Sequence, residues 1–300
     1  MRNYSLKNDF TGDGFADLIV QDTTTGALFN YQLNSYLRTA QTRFLNPTGA
    51  SQLVTQPNDI YTTGDFDADG KTDMVLKNST TNSLSLWPMN GIIRSGSGGF
   101  VPATTTAAVQ GAGDFDGDGR TDLVFQNPTT GAVSIWYLGP TGSSGLNTTR
   151  TAAATLRPQL TDFSGQRVVG VTDYNGDGHP DLLVEDVRTT SATKGNVTVI
   201  LLDAGLQSSA IITQLSTRQM VPQNIDPTLR VVGVDDINAD GLADIVTQKG
   251  TAIAYRPRTI PAGQTVANTA TFNFGTSQVF VGTNGTTPVV LPSTNWSIRN

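Results

Sequence analysis

The segment Asp114-Phe-Asp-Gly-Asp-Gly-Arg-Thr-Asp122 sets the organisation of the chain, because its pattern occurs five times. In every copy the first, fifth and ninth positions are Asp and the sixth position is Gly. The third position is Asp, Asn or, in one copy, Thr. The other four copies are Asp9-Phe-Thr-Gly-Asp-Gly-Phe-Ala-Asp17, Asp65-Phe-Asp-Ala-Asp-Gly-Lys-Thr-Asp73, Asp173-Tyr-Asn-Gly-Asp-Gly-His-Pro-Asp181 and Asp236-Ile-Asn-Ala-Asp-Gly-Leu-Ala-Asp244.

The residue types in this loop match the ligand preference of calcium. Calcium takes six to eight hard oxygen ligands at about 2.3–2.6 Å, so a short loop must turn its oxygen atoms toward one point. Glycine at the sixth position permits a turn that a Cβ would oppose. We predict about five Ca²⁺ sites, with side-chain ligands at positions one, three, five and nine and a carbonyl ligand at position seven. The predicted ligands are Asp9, Thr11, Asp13, Phe15, Asp17, Asp65, Asp67, Asp69, Lys71, Asp73, Asp114, Asp116, Asp118, Arg120, Asp122, Asp173, Asn175, Asp177, His179, Asp181, Asp236, Asn238, Asp240, Leu242 and Asp244.

Two other loop types share part of this pattern. An EF-hand needs a bidentate Glu at position twelve, whereas these loops have an apolar residue or Thr247 there, inside a strand-like run. The EF-hand is therefore excluded. An Asx-rich turn accounts for a single copy, but five copies in one register favour calcium. Because ligand charge helps to set affinity, we expect the four-Asp loops 65–73 and 114–122 to bind most tightly and the Thr11 loop least.

The acidic residues are concentrated in these loops. The chain has 300 residues, a formal net charge of −6 and 25 acidic residues, of which 17 lie in the five loops. Five divalent ions would therefore make the charge positive. The 19 Lys and Arg residues form no basic run, which disfavours nucleic-acid binding. No apolar run has the roughly eighteen residues of a membrane span.

Cysteine and histidine usage limits the possible chemistry. The chain has no Cys, and its single His, His179, lies inside a loop, so Ser-His-Asp and Cys-His arrangements lack a free base. We expect no enzyme activity and assign no catalytic residue. Weak calcium sites function mainly outside the cell, so we expect an extracellular or cell-surface protein. Residues 1–7 are not a signal peptide, so we expect either a removed signal or another export route.

The spacing of the loops predicts an all-β repeat fold. The first Asp residues of successive loops are 56, 49, 59 and 63 residues apart, a period typical of propeller blades. Each ninth-position Asp opens a short apolar strand, which a turn joins to a second strand. One strand before the loop and one after this hairpin complete a four-stranded antiparallel blade, with the calcium loop between its first and second strands. Such blades bury their faces by packing radially.

We predict a single β-propeller domain over residues 1–300 with six blades, and we keep seven and five blades as alternatives. The repeat units cover about residues 1–50, 51–105, 106–160, 161–220, 221–275 and 276–300. The last unit is degenerate, with its loop shortened to Gly282–Thr287 and with Trp296–Arg299 as its third strand. Ring closure would join this unit to the N-terminus, where Tyr4-Ser-Leu6 is the candidate inner strand.

Two of the loops, with their flanking residues, resemble a known family. Gly64-Asp-Phe-Asp-Ala-Asp-Gly-Lys-Thr-Asp-Met-Val-Leu76 and Gly113-Asp-Phe-Asp-Gly-Asp-Gly-Arg-Thr-Asp-Leu-Val-Phe125 are similar to FG-GAP or VCBS repeats. These repeats form the calcium-loop blades of integrin α-subunit heads and of many secreted bacterial proteins, and integrin-like fungal lectins share the blade type. The resemblance covers residues 9 to 250 and implies a calcium-stabilised propeller used in adhesion, in glycan recognition or as a scaffold. The missing sixth loop departs from the family pattern.

Aromatic residues recur at a fixed position and have two interpretations. Tyr31, Trp87 and Trp136 each lie fourteen residues after a ninth-position Asp, and Tyr137 follows the last of them. Aromatic rings beside polar groups can hold a sugar ring, so these four are the candidate ligand-binding residues. Packing between blades is the more common role of such a repeated aromatic.

Polar residues recur four positions after the ninth-position Asp. These residues are Gln21, Gln126, Glu185 and Gln248. We interpret them as polar groups at strand ends rather than as ligands.

The function expected from these features is that of a calcium-dependent binding or adhesion module for a glycan or a protein. The alternatives are a scaffold propeller of a larger secreted protein and a non-catalytic part of a polysaccharide-degrading enzyme. No sequence feature indicates an oligomeric state.

Overall fold

The computed structural model describes residues 8–299 except for 141–146, 157–164, 189, 192, 203–210, 213, 225–227, 261–271, 275–276, 283 and 294–295. The described residues form strands and turns, and none of them lies in a helix. This part of the chain therefore has no helix that could cross a membrane. The all-β prediction is confirmed.

The described residues form 25 strands, numbered in chain order. They are β1 (Leu18–Asp22), β2 (Leu28–Asn34), β3 (Leu37–Arg43), β4 (Asn58–Gly64), β5 (Asp73–Asn78), β6 (Ser83–Trp87), β7 (Met89–Asn90), β8 (Ile93–Arg94), β9 (Gly98–Thr104), β10 (Ala108–Gly113), β11 (Asp122–Gln126), β12 (Val133–Pro140), β13 (Asn147–Leu156), β14 (Gln166–Thr172), β15 (Asp181–Asp186), β16 (Asn196–Leu202), β17 (Ile211–Ile212), β18 (Gln214–Asn224), β19 (Arg230–Asp235), β20 (Asp244–Lys249), β21 (Ala252–Arg256), β22 (Arg258–Thr259), β23 (Phe272–Phe274), β24 (Gln278–Val279) and β25 (Trp296–Arg299).

Twenty of these strands build five four-stranded units, which we call sheets 1 to 5. Their strand orders are β25-β1-β2-β3, β4-β5-β6-β9, β10-β11-β12-β13, β14-β15-β16-β18 and β19-β20-β21-β24. Pairing within each unit is antiparallel. The outer strands β9 and β13 also pair with each other in parallel, at Val101 and Thr149, and so join sheets 2 and 3. The described residues therefore have a propeller-like β fold.

The hairpins between the second and third strands of sheets 1 to 3 close with Asx turns. Oδ1 of Asp22, Asn78 and Asn127 accepts a hydrogen bond from the N–H two residues later, at 2.9–3.0 Å. The chain then passes through a residue with positive φ, namely Gly26, Asn82 or Gly131. The Thr-rich segments of the sequence therefore reverse the chain in the same way in three successive sheets.

The apolar core lies between the sheets. The second strand of a sheet is buried on both faces, as in β11, where all five residues are buried. Within the described residues, buried apolar side chains form five clusters, and each cluster contains residues of two sheets that are consecutive in the chain or, once, of sheets 5 and 1. Members from the two sheets are Leu28 and Ile60, Leu86 and Leu123, Val124 and Val184, Leu183 and Ile245, and Tyr255 and Val20. The five sheets therefore pack in a cycle.

Glycines let the inner strands of neighbouring sheets approach closely. The inner strands β25, β4, β10, β14 and β19 are neighbours in that order, and β19 in turn neighbours β25. A Cβ added at Gly170 would lie 2.4 Å from Val234 Cγ2, and one added at Gly111 would lie 2.4 Å from Val171 Cγ2. Both distances are far below a van der Waals contact, so these two positions have room only for glycine.

Polar side chains four positions after the ninth-position Asp bond to the neighbouring sheet or to the segment that leads into it. The hydrogen bonds run from Gln21 Nε2 to Val54 O (2.7 Å), from Lys77 Nζ to Ala107 O (2.6 Å), from Gln126 Nε2 to Gln166 O (2.9 Å) and from Ile298 N–H to Gln248 Oε1 (3.1 Å). The last bond links sheet 5 to sheet 1. Glu185 instead pairs with Arg167 of its own sheet, at 2.7 Å. These contacts agree with a structural role for the repeated polar residues.

The C-terminal segment differs from the predicted sixth unit. Gln278–Val279 pairs with β21 as the fourth strand of sheet 5, and Trp296–Arg299 pairs with β1 as the inner strand of sheet 1. The prediction that Trp296–Arg299 is the third strand of its own blade is therefore wrong. The physical reason is that β2 covers only one edge of β1. The backbone groups on the other edge need hydrogen-bonding partners, and β25 supplies them. Tyr4–Leu6, the predicted inner strand, lies outside the described residues.

Candidate metal-binding loops

The five aspartate-rich loops occupy equivalent places in the five sheets. Loops 65–73, 114–122, 173–181 and 236–244 each connect the inner strand of a sheet to its second strand, and loop 9–17 leads into β1, the second strand of sheet 1. Because the strand order is the same in every sheet, the loops lie at the same end of the cycle.

The first-position Asp fixes the shape of each loop through backbone hydrogen bonds. In all five loops its Oδ2 accepts from the N–H of the sixth-position glycine at 2.8–2.9 Å. These glycines have φ values from 81° to 92°, in the region that favours glycine. The fifth-position Asp accepts from the seventh-position N–H at 2.8–3.0 Å. The carboxylates of positions one and five are therefore held inside the turn.

The ninth-position Asp is fully buried and ties the loop to the sheet. In four loops its Oδ2 accepts from the N–H of the second loop residue at 2.9–3.2 Å. In loop 9–17, Asn30 Nδ2 donates to Asp17 Oδ2 instead, at 2.9 Å. The Oδ1 atom accepts from a backbone N–H near the end of the third strand or just beyond it, as from Leu138 to Asp122 at 2.9 Å. In four loops this carboxylate therefore links the start of the loop, the start of the second strand and the end of the third strand, whereas in loop 9–17 it links the end of the loop to the third strand.

Burial makes the ninth-position carboxylates of all five loops harder to ionise. It raises the pKa of Asp17, Asp73 and Asp181 to about 7, and the pKa of Asp122 and Asp244 to about 8. The hydrogen bonds from Asn30 to Asp17 and from backbone N–H groups lower the pKa, but by less than burial raises it. A buried carboxylate is stable either protonated or beside a cation, so the loops provide a suitable environment for a positive ion.

Carboxylate oxygens converge in the two loops that have four Asp residues. Oxygens of Asp65, Asp67 and Asp73 lie within 4.8 Å of one another, and so do oxygens of Asp114, Asp116 and Asp118. Two ligands of one calcium ion, each at about 2.3–2.6 Å, lie at most about 5 Å apart. The spacing and the all-oxygen chemistry therefore fit a divalent cation of the calcium type.

Two loop cations lie beside the same carboxylates. Lys71 Nζ is 3.2 Å from Asp69 Oδ2, and Arg120 Nε is 3.5 Å from Asp118 Oδ2. Both pairs are exposed, and exposed ion pairs contribute about 0–1 kcal/mol, so they compete weakly with a bound ion.

In loops 173–181 and 236–244, the third-position Asn donates to the fifth-position Asp at 2.8 and 3.0 Å.

The candidate sugar-binding aromatics lie mainly inside the protein. Tyr31, Trp136 and Tyr137 are 1%, 7% and 3% exposed and belong to three of the clusters between sheets. Trp87 is partly buried against a fourth cluster and lies under the guanidinium of Arg94, whose Cζ is 4.7 Å from the ring centroid. These positions agree with packing between sheets.

Some residues that connect the loops were not found by sequence reasoning. The buried Asn8 donates to Asp235 Oδ2 at 2.9 Å and accepts from Thr63 Oγ1 at 2.8 Å. Thr121 Oγ1 donates to Asp65 O at 2.7 Å. The only sequence signal for these residues was their place beside the loops: Asn8 and Asp235 directly precede a loop, and Thr121 is the eighth residue of one. Their partners lie in other sheets, so the sequence alone does not pair them.

Comparison with known proteins identifies the repeat. A solved structure, that of a protein of unknown function from Bacteroides caccae, is similar over 83% of this chain and 70% of that chain, with 9% identity and a TM-score of 0.38. The comparison with curated proteins finds no match. The FG-GAP-like repeat family matches residues 65–125 and 114–184, which include three of the five loops. Residues 65–184 of this chain are therefore FG-GAP-like repeats.

Proposed function

We propose that the chain is a calcium-stabilised, five-bladed β-propeller that acts outside the cell as a binding or adhesion module. FG-GAP-like repeats are typical of such modules, and they are present at residues 65–184. The observation that carries the proposal is the repetition of one oxygen-rich loop geometry at the same place in five sheets. Sheets 1 to 5 are the proposed blades, and β25 closes the ring.

The donor set favours calcium over other metals. The predicted side-chain ligands are carboxylates, amides and one hydroxyl, which are hard oxygen donors. Magnesium requires near-ideal octahedral geometry, whereas calcium accepts a flexible set of six to eight oxygens. Because the ninth-position Asp is hydrogen-bonded within the sheet, a bound ion would hold the loop against the blade. We therefore propose a structural role for the metal and assign no catalytic residue.

A metal count tests the calcium sites. We expect mass spectrometry of the purified, calcium-equilibrated protein to find about five ions per chain, and one fewer in the double variant D67N/D69N. Asp22→Asn is the matched control, because it removes an acidic group outside the loops at a turn position where sheets 2 and 3 have Asn78 and Asn127. A chain that retains no calcium after equilibration would rule out the proposal.

A polar cavity offers a place for a small polar ligand. It has a volume of about 170 Å³ and is lined at one end of sheet 4 by groups that include Gln166, Asp186, Arg188, Asn196 and Thr198. Pockets for drug-sized ligands have about 300–1,000 Å³, so this cavity suits one sugar ring or one polar side chain. Asp186 is already paired with Arg188 at 2.6 Å and hydrogen-bonded to Thr193, so we propose that Gln166, Asn196 and Thr198 supply the polar contacts to a ligand.

A binding assay distinguishes a glycan-binding module from a scaffold. We expect a glycan array probed in calcium to show a ligand whose binding is lost in chelator, because the ion maintains the arrangement of the blades. The scaffold alternative is favoured by the burial of Tyr31, Trp136 and Tyr137. If the protein remains folded and recognises neither a glycan nor a protein in either condition, the scaffold is the better description.

A further inference from the structure

The calcium loops contact one another through their ends. Thr121, the eighth residue of loop 114–122, donates from Oγ1 to the backbone carbonyl of Asp65, the first residue of loop 65–73, at 2.7 Å. The methyl group of Thr121 also packs on Gly64, where an added Cβ would lie 2.8 Å from Thr121 Cγ2. The last turn of one loop therefore touches the first residue of the preceding loop.

The same relation holds one sheet further on. Pro180, the eighth residue of loop 173–181, packs on Gly113, the residue before loop 114–122, and an added Cβ at Gly113 would lie 2.8 Å from Pro180 Cγ. The position is equivalent, but proline has no hydroxyl, so this contact is apolar. Loops 65–73, 114–122 and 173–181 thus form a contact series.

Asn8 extends the series to the remaining loops. It directly precedes loop 9–17, is 2% exposed, and bonds to Asp235, which precedes loop 236–244. It also accepts a hydrogen bond from Thr63, which lies two residues before loop 65–73. All five loops are therefore connected by contacts of residues that lie in the loops or within two residues of their ends.

We propose that calcium binding at neighbouring loops is positively coupled, and that the Thr121–Asp65 hydrogen bond carries the coupling between loops 65–73 and 114–122. The inference rests on the proposed calcium sites. An ion in loop 65–73 orders Asp65, and the ordered carbonyl of Asp65 holds Thr121 one residue before the ligand Asp122. The second ion then binds a loop that is already ordered, and less conformational entropy is lost.

Long-range electrostatics acts against this coupling. The first ion reduces the negative charge that attracts the second one, so charge alone would make the sites negatively coupled. At about 0.15 M salt, exposed charges are screened over about 8 Å, whereas a direct hydrogen bond is not removed by salt. The coupling should therefore be measured at this ionic strength.

The test follows each loop separately by NMR, using the sixth-position glycine amides, which bond to the first-position Asp. The midpoint of the Gly119 response to added calcium reports on loop 114–122. Disabling loop 65–73 with D67N/D69N should raise this midpoint roughly fivefold, the equivalent of one hydrogen bond. In a Thr121→Val background the same double change should leave the midpoint nearly unaltered. Thr121→Ser, which keeps the hydroxyl, should retain the native coupling.

A matched control separates coupling from general damage. Thr129→Val makes the same chemical change at an exposed turn residue of the same sheet and should behave like the native chain. The coupling is overturned if D67N/D69N shifts the Gly119 midpoint equally in the native background and in the Thr121→Val background. It is also overturned if D67N/D69N does not shift the midpoint at all. If calcium alters none of the five glycine amides, the proposed function fails first, and the coupling fails with it.

Discussion

Chelation of calcium is expected to lower the melting temperature of the purified chain by about 20 °C or more. A ligand at 100 times its dissociation constant stabilises a folded protein by about 2.7 kcal/mol per site, and five sites are proposed. In a domain of this size, 1 kcal/mol corresponds to about 2–4 °C. The effect is large because each ion would hold a loop whose buried Asp also ties the strands of one sheet together.

Differential scanning calorimetry in calcium and in EGTA measures this shift. Re-addition of calcium should restore the original transition, whereas magnesium at the same concentration should restore it only in part, since magnesium tolerates this ligand geometry less well. The D67N/D69N variant should show a smaller difference between the two conditions, because one site is missing. Identical melting curves with and without EGTA would contradict the assignment of the loops as calcium sites.

Gly170→Ala is expected to destabilise the protein by about 1–3 kcal/mol. The new Cβ would lie 2.4 Å from Val234 Cγ2 and 3.0 Å from Val234 Cβ, so the inner strands of sheets 4 and 5 must move apart. Overpacking of a tight core typically costs this amount. Gly170 does not have positive φ, so steric overlap between two sheets, rather than backbone strain, causes the loss. Urea denaturation monitored by circular dichroism measures the change.

A second change at the partner residue provides the decisive comparison. Val234→Ala removes the Cγ2 methyl group that the new Cβ meets at 2.4 Å, so G170A/V234A should be more stable than the sum of the two single variants indicates. Gly99→Ala is the control, because no atom lies within 4 Å of a Cβ added there, and its stability should be close to native. Strict additivity of the two single changes would show that β14 and β19 do not pack as described.

The sequence predicts the local structure of this protein well, because the local structure depends on residues close together in the chain. The Asp at positions one, five and nine and the Gly at position six form hydrogen bonds within nine residues, and the structure shows the resulting turn five times. The strands that follow each loop are also found, since their apolar runs are bounded by turns.

The order of the sheets around the cycle was harder to predict, because it depends on distant residues. Trp296–Arg299 is a four-residue strand, and nothing in its composition distinguishes pairing within a sixth blade from pairing with β1. Asn8 and Asp235 are 227 positions apart, so their contact has no sequence signature. The repeated position of Tyr31 and Trp136 favours packing between sheets but also fits ligand binding, and only their burial decides between the two.

The pairing of β25 with β1 has a consequence for the synthesis of the protein on the ribosome. Sheet 1 contains the first three of the described strands, but its inner strand, β25, is the last of them. Until residues 296–299 emerge, one edge of β1 is unpaired, and exposed edges of this kind recruit other strands. A nascent chain that stalls after sheet 5 therefore presents an open edge to the other nascent chains on the same messenger RNA, and the emergence of residues 296–299 closes that edge.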